Sequence, residues 1–191
     1  MQFIYIKDGA MTPKECERCI KYFELNKDKS SYGITSGGYE PGYKDSHDWC
    51  KDFLDEDAVD LMILDVLNKG TDEYKKLHPS VNDLPDAWHV YRGYNIQKYD
   101  PGGGFKGWHC ETGDFKNYPN SASCRRMLVW MIYLNDVPDG GTDFREQNWT
   151  CEAKQGRLLI WPAAWTHTHK SQVSNTTTKY IATGWYTFNL P

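Results

Sequence analysis

The chain has 191 residues, a formal net charge of −4 and 15% aromatic residues, thirteen of them Tyr and eight Trp. This length predicts one domain, 1–191, with roughly two-thirds of its unfolded surface buried. No block of Lys or Arg supplies the clustered phosphate contacts of a nucleic-acid partner, and no run of about 18 apolar residues suggests a membrane span.

Met1 to Ala10 alternates apolar and polar residues and lacks the charged-then-apolar pattern of a secretory signal. A cytoplasmic setting with reduced thiols is therefore expected for the six cysteines. Gln2 to Lys7 reads as a short edge strand. Thr12-Pro-Lys-Glu15 is a helix start, with Thr12 as cap, Pro13 at the first helical position and Glu15 completing a capping box. Cys16, Cys19, Ile20 and Phe23 follow at one-faced helical spacing, which makes Cys16-x-x-Cys19 core packing rather than a redox pair. Lys27 to Tyr43, polar and glycine-rich, is expected to be a mobile loop.

A second helix is predicted over Asp55 to Lys69, its stripe being Val59, Met62, Ile63, Val66 and Leu67, with Gly70 interrupting it before 71–77. His47 and His78 read as surface residues. Residues 1–87 thus look like helical support.

From Trp88 the texture changes. Extended runs over Trp88 to Tyr99, Phe105 to Glu111 and Met127 to Leu134 are followed by shorter ones near Phe144, Trp149 to Glu152, Arg157 to Trp161, Trp165 to His169 and Lys179 to Phe188. Asp100-Pro-Gly-Gly-Gly104 and Pro138-Asp-Gly-Gly141 read as closing turns. This is the pattern of a sandwich or double-sheet jelly roll. The fold class is α+β, mainly β, with residues 88–191 as the jelly-roll core.

Two pairs with i, i+2 spacing carry the chemistry: His109 with Glu111, and His167 with His169. Strand alternation places both members of a pair on one side. Two histidines and one carboxylate on one face of a metal leave its other positions open, the arrangement of non-haem Fe(II) oxygenases. The third ligand is His167 or His169. Asp114, five residues from His109, does not fit a strand-borne pair as well as Glu111. Lys179 suits a carboxylate anchored in a partly buried pocket, or else solvates a strand end.

In order along the chain, Tyr99, Gly102-Gly-Gly104, His109-Cys-Glu111, Tyr133-Leu134 with Gly140-Gly141, and His169 with Lys179 ten residues later form a recurring pattern. It resembles the prolyl 4-hydroxylase branch of the 2-oxoglutarate and Fe(II)-dependent oxygenases, in the short form of bacterial and phage members. The resemblance covers about Tyr94 to Phe188. It implies a double-stranded β-helix, a cupin-like jelly roll, supported by N-terminal helices. The interval to Lys179 favours His169 over His167, which becomes a neighbour on the same strand face.

By this resemblance His109, Glu111 and His169 hold Fe(II), while Lys179 and the Tyr99 hydroxyl meet the distal carboxylate of 2-oxoglutarate. Arg126 stands where the family has an Arg beside the substrate, with a surface ion pair as its bland reading. Trp185 stands where the family has a Trp lining the pocket, with core packing as the alternative. The implied reaction consumes O2 and 2-oxoglutarate, releases succinate and CO2 and hydroxylates an aliphatic C–H, with ascorbate as a further cofactor. A proline-containing peptide or protein is the expected partner, in the cytoplasm of the host cell if the protein is viral. A related oxygenase acting on a small molecule or another residue is the alternative, as is a non-catalytic jelly-roll binding module. The departure is Glu111, where the family usually has Asp. Expected lids are residues 32–42, residues 44–49 with Trp49, and 114–119.

Overall fold

The computed structural model describes residues 2–35, 37–113 and 121–189. The first half contains β1 (Tyr5–Lys7), α1 (Pro13–Leu25), β2 (Ser31–Tyr32), β3 (Lys44–Asp45), β4 (His47–Asp52) and α2 (Ala58–Leu77). The second half contains β5 (Trp88–Tyr99), β6 (Gly104–Phe105), β7 (Arg126–Tyr133), β8 (Val137–Phe144) and β9 (Trp149–Ala153). It continues with β10 (Leu158–Pro162), β11 (His169–Ser171) and β12 (Lys179–Phe188).

A seven-stranded antiparallel sheet runs β1-β10-β7-β12-β5-β4-β2. A three-stranded sheet, β11-β8-β9, and the β3–β6 pair form the smaller side. The two sides make a double-stranded β-helix.

Period-two alternation builds its two cores. On β7, Leu128, Trp130 and Ile132 pack with helix residues such as Cys19, Phe23, Ile63 and Leu67. The alternate residues Val129, Met131 and Tyr133 pack with Phe144, Cys151 and Trp161 on the other side. Strands buried on both faces must read as unbroken apolar runs, as Met127 to Leu134 does. The same alternation decides which side chains can reach the interior of the β-helix. Tyr94 and Ile96 of β5 face the helices, whereas Asn95, Gln97 and Tyr99 face inward.

The helix start is as expected: Thr12 and Glu15 form a reciprocal capping box. Cys16 and Cys19 are free and fully buried, and burial pushes both thiols up to about 12. They are core residues.

Several expectations need correction. Helix α2 continues through Gly70 to Leu77, because Gly70 packs against the sheet: a Cβ there would lie 2.5 Å from Leu158 Cδ2. The glycine marks close approach, not a break. Pro138 to Gly141 lies inside β8, at a register irregularity between Val137 and Thr142. The predicted loop over Lys27 to Tyr43 includes β2, paired with β4.

The first half is more than helical support, since β1, β2 and β4 are strands of the large sheet. Trp49 is part of β4, stacked on Tyr22 and 6% exposed, which rules it out as a lid residue. The 114–119 lid and Asp114 lie outside the described residues. No helix among the described residues is long and apolar enough to cross a membrane.

Candidate metal and co-substrate site

His109 and His169 are joined by an isolated antiparallel bridge on the smaller side of the β-helix, between β11 and the chain that follows β6. His109 N–H donates to His169 O at 3.0 Å and His169 N–H to His109 O at 2.8 Å. In such a directly opposed pair both side chains project to the same side. The following turn is anchored separately, with the N–H groups of Glu111 and Thr112 both donating to Ala163 O. This returns the Glu111 side chain to the two imidazoles.

One ligating atom each from His109, Glu111 and His169 lie within 4.8 Å of one another. Glu111 Oε1 is 3.5 Å from His109 Nε2 and 3.8 Å from His169 Nε2. The far nitrogen of each ring is engaged: His109 Nδ1 with Gly107 O, and His169 Nδ1 with His167 O, both at 2.9 Å. A carbonyl only accepts, so Nδ1 carries the proton in both rings and Nε2 is left to face the cluster. Phe105 stacks on His109 at 3.5 Å between centroids, and Trp161 meets His169 edge-on at 5.1 Å. The rings are fixed before any ligand arrives.

Burial, with His109 beside it, pushes His169 down to about 4 and favours the neutral imidazole that binds metal. Burial alone would raise Glu111, but the imidazoles while protonated, and the permanently charged Arg126, outweigh it and hold the carboxyl well below the usual range. Two neutral-ring nitrogens and one carboxylate oxygen are a donor set suited to Fe(II).

These residues line a cavity of about 860 Å³. Its walls include the inward faces of β5 and β12, with Gln97, Tyr99, Lys179, Thr183 and Trp185. Lys179 is 5% exposed. Its ammonium donates to Gly140 O at 2.8 Å, to Gln172 O at 3.2 Å and to Ser171 Oγ, all neutral acceptors. Among the described residues no carboxylate forms an ion pair with it. Burial pushes Lys179 down to about 8, with only Asp139 pulling the other way. A buried, uncompensated cation favours an incoming anion. The residues present therefore fit both groups, a divalent metal and a dicarboxylate.

The 2OG-Fe(II) oxygenase superfamily profile matches residues 94–187. The chain belongs to that superfamily. It is a 2-oxoglutarate- and Fe(II)-dependent dioxygenase whose fold is shared with prolyl hydroxylases of known structure. A viral collagen prolyl hydroxylase from Paramecium bursaria Chlorella virus-1, solved as a 2-oxoglutarate complex, aligns with TM-score 0.69 at 18% identity, over 97% of this chain and 96% of that one. A Pseudomonas putida prolyl 4-hydroxylase aligns with TM-score 0.72 at 11% identity, over 98% and 93%. A Trichoplax adhaerens prolyl hydroxylase, solved with a hypoxia-inducible-factor peptide fragment, aligns with TM-score 0.72 at 12% identity, over 98% and 84%. No curated protein sequence matches the chain.

His167 does not accompany His169. Trp165–His167 is a 3-10 turn and the strand starts at His169, so the i, i+2 alternation expected of Trp165 to His169 does not apply. The His167 ring bonds Gln2 O at 3.0 Å through Nε2. Arg126 lines the cavity but is committed to Glu111, donating through Nη1 to Oε2 at 3.0 Å. Trp185 Nε1 also donates to Glu111 Oε2, at 2.9 Å. The Tyr99 hydroxyl donates to Gln97 Oε1 at 2.7 Å.

Sequence reasoning missed the chain that continues from there. Gln97 Nε2 donates to Asp48 Oδ2 at 3.0 Å, and Lys44 Nζ to the same oxygen at 2.6 Å. All three side chains line the cavity. Lys44 and Asp48 sit in a stretch that reads as polar loop, and only the placing of β4 beside β5 turns them inward. Gln97 was open to detection, since it shares the face of Tyr99 at i−2 on one strand.

Proposed function

We propose that the chain hydroxylates an aliphatic C–H of a polypeptide, with the ring of a proline residue as the preferred target. His109, Glu111 and His169 hold Fe(II), and Lys179 anchors the distal carboxylate of 2-oxoglutarate. The observation that carries this reading is one cavity holding both a preset His–Glu–His cluster and a buried lysine without a counter-charge. With both groups bound, Fe(II) and 2-oxoglutarate supply O2 activation, one oxygen going to the substrate C–H and the other into succinate as CO2 leaves.

The protein's part is orientation and exclusion of water. The bonds from Nδ1 to Gly107 O and His167 O hold the ring tautomers. The Lys44–Asp48 pair is already neutralised and the Lys170 ammonium lies over the Trp108 ring, so Lys179 is the buried, unpaired ammonium of the cavity wall that attracts a dicarboxylate. Tyr99 lies beneath it, with the ammonium 5.1 Å from its ring centroid.

A polypeptide substrate is supported by the cavity mouth. Ile34, which lines it, is 67% exposed, and near it in sequence Tyr32 and Tyr39 are 58% and 51% exposed with rings in contact. An exposed apolar residue at the cavity, with two exposed tyrosines close to it in sequence, suits an extended peptide and a proline ring. The Trichoplax neighbour's peptide complex agrees with that reading. Proline-rich peptides and free amino acids, supplied separately with Fe(II) and 2-oxoglutarate, test it by mass spectrometry. Gain of one oxygen on peptide proline is expected; oxygen gained only by free amino acids would refute the polypeptide assignment.

A further inference from the structure

Glu111 carries one methylene more than the Asp usual at such a position, and one more rotatable bond. A free Glu would spread over several rotamers and could offer both oxygens to a metal. Here one oxygen is already committed. Oε2 accepts from Arg126 Nη1 at 3.0 Å and from Trp185 Nε1 at 2.9 Å. Arg126 Nη1 also reaches the backbone oxygen of Glu111 at 3.2 Å, so the guanidinium grips the residue at both ends. That guanidinium lies over the indole, its Cζ 3.5 Å from the ring centroid, which fixes the two donors relative to each other. Oε1 is the oxygen that faces both imidazoles.

The two donors come from adjacent strands. Trp185 pairs with Val129 and Thr187 with Arg126, and a register shift falls between Tyr186 and Thr187. Arg126 is 22% exposed in its side chain, Glu111 16%, so both contacts are shielded from water.

We propose that Arg126 and Trp185 are positioning residues for Glu111, a clamp that lets the longer carboxylate act as a one-oxygen metal ligand. The proposal rests on the reading of His109, Glu111 and His169 as the metal ligands. It gives Arg126 a task other than contacting substrate. An Asp at 111 would be shorter by about 1.5 Å, one C–C bond, and would withdraw from both donors. The clamp is therefore matched to Glu.

Mn(II) binding by calorimetry in the presence of 2-oxoglutarate tests this without turnover. Arg126→Gln and Trp185→Phe are each expected to weaken Mn(II) binding by about 10-fold or more, as loss of partners behind metal ligands typically does. Their melting temperatures check that the fold is kept, and the visible absorption of the Co(II)-loaded protein is expected to shift in both. In a Glu111→Asp background, Arg126→Gln is expected to change Mn(II) affinity by less than about 3-fold, since the clamp no longer reaches. Wild-type affinity in folded Arg126→Gln and Trp185→Phe, with only the peptide KM raised, would overturn the clamp. A His169→Ala arm separates the two failures. If it abolishes Mn(II) binding while the clamp variants bind normally, only the clamp is wrong; if it binds like wild type, the ligand assignment falls and the clamp with it.

Discussion

His109 and His169 are 60 positions apart in the sequence and exchange both backbone hydrogen bonds, at 3.0 and 2.8 Å. The candidate metal site is thus built on a backbone pairing between β11 and the chain that follows β6 rather than on side-chain packing alone. Any change that loosens that pairing moves both imidazoles together.

Lys179 gives a pH signature. Burial pushes it down to about 8 from an ordinary 10.5. Between these values the unfolded chain holds the proton and the free folded protein does not. Stability of the free protein therefore rises with pH across that window. Co-substrate binding runs the other way, because the dicarboxylate needs the ammonium. Calorimetry at fixed Mn(II) is expected to show 2-oxoglutarate affinity falling as pH rises through about 8. Lys179→Met should lose about 10- to 100-fold in affinity, the worth of a charge-assisted hydrogen bond, and lose the pH dependence too. An unchanged pH profile in that variant would remove Lys179 from the site.

The Lys44–Asp48 pair makes a stability prediction. Its partners are 8% and 10% exposed in their side chains. Asp48→Ala strands a buried ammonium and leaves Gln97 Nε2 without its acceptor, at a cost of about 3 kcal/mol in urea unfolding. Replacing both partners with apolar residues should recover most of that loss. If Asp48→Ala unfolds at the wild-type midpoint, the pair is not buried as described.

Gly156 is a second structural test. It holds φ of +75°, and an added Cβ would lie 2.0 Å from the Met11 carbonyl oxygen. That oxygen is backbone and cannot move aside cheaply. Gly156→Ala should cost at least about 2 kcal/mol, from the left-handed conformation and the clash together. A melting temperature within one degree of wild type would refute this.

Much of the fold was legible because both faces of the central strands are buried, so Met127 to Leu134 and Arg157 to Trp161 announce themselves as apolar runs. The capping box at Thr12 was readable for a different, local reason: its two partners, Thr12 and Glu15, are three residues apart. What escaped depended on partners distant in sequence. Gly70 looks like a breaker until Leu158 is placed against it. Lys44 and Asp48 look like loop polar residues until β4 lies on β5. By strand alternation His167 shares a face with His169, until the 3-10 turn turns it to Gln2 O. For Arg126, alignment by resemblance pointed to substrate, and only the geometry of Glu111 shows where its guanidinium is held.

In the proposed ligand set His109, Glu111 and His169 hold the metal and the adjacent His167 does not. Mn(II)-dependent 2-oxoglutarate binding by calorimetry, compared in wild type, His167→Ala and His169→Ala, tests it most directly. His167→Ala is expected to keep binding within a few-fold and His169→Ala to abolish it, with both proteins folded. Retained binding in His169→Ala, or its loss only in His167→Ala, would overturn this choice of ligands.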